Sequence, residues 1–96
     1  MASFFVETYV PPGDHAKFSH DVNGLRAALE AITATDGQVH HVRSYLVPSD
    51  EMGVHVVEAE SAEAVIRLAT LAGLEVERIV PAIGGDNGGS DVGRPS

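Results

Sequence analysis

The chain has 96 residues, and its 14 acidic against 6 basic side chains give a formal net charge of -8, so no basic stripe exists to neutralise phosphates and no nucleic-acid partner is expected. It has no cysteine, which excludes disulfides, thiolate metal sites and thiol nucleophiles and leaves imidazole, carboxylate or backbone oxygen to hold any metal. Apolar residues at 44% and charged residues at 21% are ordinary globular usage, so one domain is expected, with a small core that a second copy would enlarge.

The opening M-A-S-F-F-V-E lacks a basic segment, and Glu7 cuts its apolar run short; no secretory leader is predicted. No run approaches the roughly 18 apolar residues of a membrane span, so no membrane partner is expected and the cytoplasm is the expected compartment. Ser3 to Val10 reads as the first strand, stopped by Pro11-Pro12-Gly13, with Phe4, Val6, Thr8 and Val10 on one face and Phe5, Glu7 and Tyr9 on the other. Asp14 or Ser19 can cap the helix that follows, whose stripe is Phe18, Val22, Leu25, Leu29 and Ile32. Gly24 within it costs about 1 kcal/mol against Ala, which predicts fraying or a separate first piece. Thr35-Asp36-Gly37 is the expected end of that helix.

Two further strands are expected over 38–47 and 54–59, joined by a polar connection and paired antiparallel. Setting Val47 opposite Val54 places Tyr45 across from Val56 and Arg43 across from Glu58. His41, Arg43, Tyr45, Val56 and Glu58 then share a mixed face, while His40, Val42, Ser44, Leu46, His55, Val57 and Ala59 face the helices; a slip of one residue would reverse part of this. Ser61 is the expected N-cap of a second helix with the stripe Ala62, Val65, Ile66, Ala69 and Ala72, closed by Gly73. Leu74 to Ile83 suits a fourth strand at a sheet edge. Residues 84–96, Gly-rich and apolar-poor, read as a flexible tail behind a domain spanning 1–83.

The order βαββαβ predicts a ferredoxin-like α+β fold, with a four-stranded antiparallel sheet in the order 4-1-3-2 and two helices on one face. The other face carries Phe5, Tyr9, Tyr45, Val54 and Val56 beside Glu7, Arg43 and Glu58, too apolar for plain solvent surface. Two copies stacking these faces would form a dimeric α+β barrel and partly desolvate Glu7 and Glu58, which must then be paired, protonated or metal-bound. Arg43 and Arg78 are the expected counter-ions, and an ion-pair network that fixes register is the plainer use of such charges. Candidate metal ligands are His41, Glu7 and Glu58, with Arg43, Tyr45, Tyr9 and Arg78 lining the same pocket. His15 and His20, near Asp14 and Asp21, form a surface alternative, and His55 is expected to be a core histidine.

At V-E-T-Y-V-P-P-G (6–13), V-R-S-Y-L-V-P-S-D (42–50), V-V-E-A-E-S-A-E-A-V (56–65) and A-G-L-E-V-E-R-I-V-P (72–81) the chain resembles a family of small bacterial ferredoxin-like proteins. That family was long treated as a domain of unknown function and is now named for a nickel-binding member. The resemblance implies a homodimer, nickel held near the dimer surface, and sequestration or buffering of that metal. The chain departs from the family where His41 replaces an aromatic residue and where Arg43 stands at a position that takes His or Arg. The donors expected here suit Ni(II) but also Zn(II) and Cu(II). Two other readings stay open on the same cleft: a small enzyme of the dimeric α+β barrel type, monooxygenase- or isomerase-like, and a ligand-sensing module.

Overall fold

A computed structural model describes residues 2–33 and 39–83. The expected tail and the expected helix end at Thr35-Asp36-Gly37 lie outside them. The elements are β1 (Ala2–Tyr9), α1 (His15–Thr33), β2 (Val39–Val47), a 3-10 turn (Pro48–Asp50), β3 (Met52–Ala59), α2 (Ala62–Ala72) and β4 (Val76–Ala82). The strands form one antiparallel sheet in the order β2-β3-β1-β4, as expected. Among the described residues no helix is long and apolar enough to cross a membrane.

Strand periodicity decides what the helices cover. Along β1, Phe4, Val6 and Thr8 point inward and Val10 follows them just past the strand, all buried, while Phe5 and Tyr9 are exposed. In β3 the inward set is Gly53, His55, Val57 and Ala59. Of these, Phe4, Val6, Val57 and Ala59 pack with Val39 of β2 against Leu25, Ala28 and Ile32 of α1 and Ala64, Val65 and Leu68 of α2 to make the core. The inward stripe of α2 therefore differs from the expected one: Leu68 is 1% exposed and Ile66 is 52% exposed. Residues 64, 65, 68, 69 and 72 recur at helical spacing around Leu68, which leaves Ile66 on the outer side.

The caps follow their chemistry. Asp14 Oδ1 accepts from the Lys17 N–H at 3.1 Å, and Ser61 Oγ accepts from the Ala64 N–H at 3.2 Å. Gly73 closes α2 at φ 74°, a left-handed conformation that costs glycine little. Gly24 does not break α1, which runs unbroken from His15 to Thr33. A Cβ at that position would lie 2.7 Å from the Ala72 carbonyl oxygen, so glycine lets α1 and α2 approach.

The β2–β3 hairpin departs from the sequence reading in two ways. Its connection spends only Pro48 to Glu51, with Glu51 in the left-handed region at φ 52°, so Val47 faces Met52, Tyr45 faces Val54 and Arg43 faces Val56. The pairing is thus displaced by two residues from the expected register. A bulge then interrupts the ladder between His41 and Arg43, so that His41 faces Val57 and His40 faces Glu58. Val42 is the extra residue, and beyond it inside and outside exchange.

Candidate functional site

On the helix side of the sheet, β2 and β3 bring together three polar side chains. Ser44 and His55 are directly opposed across the hairpin, and the bulge turns His41 to the same side. Ser44 Oγ lies 2.8 Å from His41 Nε2 and 2.6 Å from His55 Nδ1. The His55 ring stacks on Phe18 of α1, centroids 5.8 Å apart, and is 0% exposed. Its Nε2 is buried with no hydrogen-bond partner. Burial pushes the His55 pKa down to about 4, with Asp21 opposing the shift. Burial likewise lowers the pKa of His41, which is half-buried at the sheet edge, although a hydrogen bond to the Arg43 backbone acts the other way. Asp21 is itself buried and bonded to Lys17 Nζ at 3.1 Å.

Among the described residues no helix covers the opposite face. Cross-strand register sorts it into rows: His40, Glu58, Ser3 and Ala82; then Arg43, Val56, Phe5 and Val80; then Tyr45, Val54, Glu7 and Arg78. The middle row is mainly apolar, and Phe5, Tyr9 and Tyr45 remain 38, 46 and 49% exposed. Arg78 Nε donates to Glu7 Oε1 at 2.8 Å, the pairing expected for Glu7. At this end of the sheet a cleft of about 340 Å³ is lined by Glu7, Tyr9, Asp50, Glu51, Glu77 and Arg78. The Tyr9 hydroxyl donates to the Glu51 carboxylate, and that hydrogen bond, helped by the carboxylate's charge, holds its pKa above the ordinary value. The Glu51 backbone is tied down on both sides, its N–H to Pro48 O at 3.1 Å and its carbonyl to the Val10 N–H at 2.9 Å.

The expected ligand trio is therefore divided. Glu7 and Glu58 lie on the open face, but His41 lies on the helix side with Ser44 and His55; the bulge puts His40 in the place expected for His41. Arg43 faces Val56 and not Glu58, a result of the displaced register. Tyr9, Tyr45, Arg43 and Arg78 do lie on the open face as expected, though Tyr9 and Arg78 border the cleft while Arg43 and Tyr45 stand further across the sheet. His15 and His20 are exposed on α1. Among the described residues, no group of three or more His, Asp or Glu side chains is placed to hold one metal ion. That Ser44 and His55 share the helix side was legible in the alternation of β2 and β3, but their direct opposition needed the true register, and the third member needed the bulge, which leaves no mark in composition.

No family model matches the chain, and no curated protein does. Among solved structures it is similar to the crystal structure of SCO4226 from Streptomyces coelicolor A3(2), with a TM-score of 0.57 and 20% identity, covering 88% of this chain and 100% of that one. At that identity the likeness speaks to architecture. The chain is an α+β protein with the ferredoxin-like βαββαβ arrangement.

Proposed function

We propose that this chain is a small non-enzymatic metal-binding protein, with nickel the first ion to test, acting as a homodimer joined through its open sheet face. The observation that carries the reading is the His40–Glu58 opposition: the bulge turns an imidazole onto the open face directly across from a carboxylate. Both donors suit Ni(II), and both also accept Cu(II) and Zn(II). The pair fits such an ion in donor type but supplies only two ligands, so water or a second copy must complete the coordination. The neighbouring row of Val56, Phe5 and Val80 supplies apolar surface for that second copy to cover.

Titration calorimetry of the untagged protein with NiCl2 tests the metal. His40→Ala and Glu58→Ala are each expected to weaken binding at least tenfold, and unchanged binding in both removes the reading. Sedimentation at micromolar concentration tests the dimer, which is lost if only a 10.1 kDa species is seen.

A second reading rests on the cleft beside Glu7. With four carboxylates and Arg78 already engaged by Glu7, it favours a cationic small molecule, as a sensing module or small enzyme would. Retention of an organic amine by the protein and not by Glu51→Gln would favour this second reading.

A further inference from the structure

On the helix side of the sheet, away from the open-face pair, Ser44 stands between two imidazole rings. Its Oγ lies 2.8 Å from His41 Nε2 and 2.6 Å from His55 Nδ1. A hydroxyl has one proton, so it donates to one ring and accepts an N–H from the other. Two observations fix the direction. The hydrogen bond between His41 and the Arg43 backbone favours the protonated ring, which makes the Arg43 carbonyl its acceptor; with Nε2 turned to Ser44, the proton donated there is on Nδ1. His41 Nε2 is then a bare lone pair, and it takes the Ser44 proton. His55 Nε2 is buried without a partner, and an orphaned N–H is the rarer state in a protein interior, so the His55 proton sits on Nδ1 and is donated to Ser44 Oγ. The two requirements agree, and both rings carry the same tautomer.

We infer that Ser44 is a nucleophile, with His41 as its general base, and that it accepts an acyl group from a small activated ester or thioester. The parts that activate such a residue are in place: a hydroxyl donating to an imidazole nitrogen, and that ring oriented from its far side by the Arg43 carbonyl. Residues 41 and 44 would lie on opposite faces of a regular strand, and the bulge is what brings them together. Ser44 Oγ engages one lone pair with His55 Nδ1–H and keeps the other for attack. In the step, Oγ bonds to the acyl carbon while its proton passes to His41 Nε2. The C–O or C–S bond to the leaving group then breaks, and the departing alkoxide or thiolate takes that proton from His41. The products are an ester at Ser44 and a free alcohol or thiol, with both rings neutral again. Burial disfavours the charged form of His55, so that ring remains a fixed donor to the oxygen and does not compete for the proton. Both His41 and Ser44 are half-buried on β2, an outer strand of the sheet, so a small reactant reaches them from the border. Arg26 of α1 acts on His41 through its positive charge and so favours a neutral or anionic reactant over a cationic one. The product is a modification of the chain, separate from the metal reading and not in need of turnover.

The test uses p-nitrophenyl acetate on untagged full-length protein, with EDTA present to keep metal out of the result. Samples are quenched in acid, digested and mapped by mass spectrometry, and nitrophenolate release is followed alongside. Ser44 is expected to take the acetyl group at least about tenfold faster than Ser19 and Ser49, which are exposed and serve as internal references. His41→Ala should bring Ser44 down to the rate of those references, and the native chain in denaturing urea should lose the advantage too. Nitrophenolate release that is lost in Ser44→Ala, even without accumulated acetyl, supports the inference as well, the acyl group then passing on to water. The inference is overturned if Ser44 is acetylated no faster than Ser19 and Ser49 while Ser44→Ala releases nitrophenolate at the native rate, or if the advantage of Ser44 survives in His41→Ala or in urea. The urea comparison uses the native sequence, so the outcome does not depend on a variant folding.

Discussion

The two faces of the sheet use their polar groups under different rules. On the helix side water is largely out of reach, and Thr8 Oγ1, Ser44 Oγ and His55 Nδ1 find partners inside the protein in Gly53 O, the two rings and Ser44 respectively, while His55 Nε2 stays without one. On the open side Glu7 and Arg78 pair in contact with water, the acid 14% and the base 70% exposed, beside exposed aromatic rings. Substitutions on the first side should therefore register as stability, and those on the second as association or binding.

The contrast breaks first, and most visibly, at Leu68. Leu68→Ala is expected to cost about 3 kcal/mol in urea unfolding, because it empties a 1% exposed core position, while Ile66→Ala two residues earlier stays within about 0.5 kcal/mol. Comparable losses from both would mean that α2 is rotated about its axis relative to the structure.

An effect nearly as large should come from acid. His55 has its folded pKa lowered to about 4 from an unfolded value near 6.5, so the unfolded chain binds the extra proton between those values. Stability from this group is complete above about pH 6.5 and falls as the pH drops toward 4, by at most about 3 kcal/mol. Urea midpoints of metal-free protein across that range should show the loss, and His55→Leu should flatten the slope. A stability that rose on acidification over this window would contradict the burial of a neutral ring.

On the open face, where the dimer is proposed to join, Phe5→Asp should leave the unfolding of the single chain nearly unchanged yet shift the sedimentation of that proposed dimer to monomer. If the variant instead unfolds, the ring contributes to the chain's own core and the two sides are less distinct than the exposures indicate. The smallest effect belongs to Arg78→Ala. An ion pair with one partner so exposed contributes about 0–1 kcal/mol, reduced further by salt, so denaturation curves should barely move.

Much of this fold was legible in the sequence because its signals are local. Alternation in β1, the serine and glycine that bound α2, and the Pro-Pro-Gly stop after β1 each act within a few residues, and the βαββαβ order then leaves few topologies. The hairpin register was less accessible, since it depends on how many residues the connection takes up. Glu51 in a left-handed conformation has no compositional signature of the kind glycine gives. The bulge was harder still: Val42 is as good a β-former as its neighbours, so nothing local distinguishes His40 from His41, and the single residue that decides their sides decides the candidate ligands as well. In α2 the error was different in kind, a choice of Ile66 over Leu68 between two apolar residues whose spacing fits either stripe.

Val42 has a consequence for how this chain tolerates change in length. Because it is the spare member of β2, removing it would restore an uninterrupted ladder while every other side chain of that strand kept its side of the sheet. Deleting a residue elsewhere in β2 would instead push the mismatch along the strand or transfer apolar groups into solvent. Through the sharper local twist that its bulge imposes, the same residue also makes this border a poor template for a stray strand from another molecule.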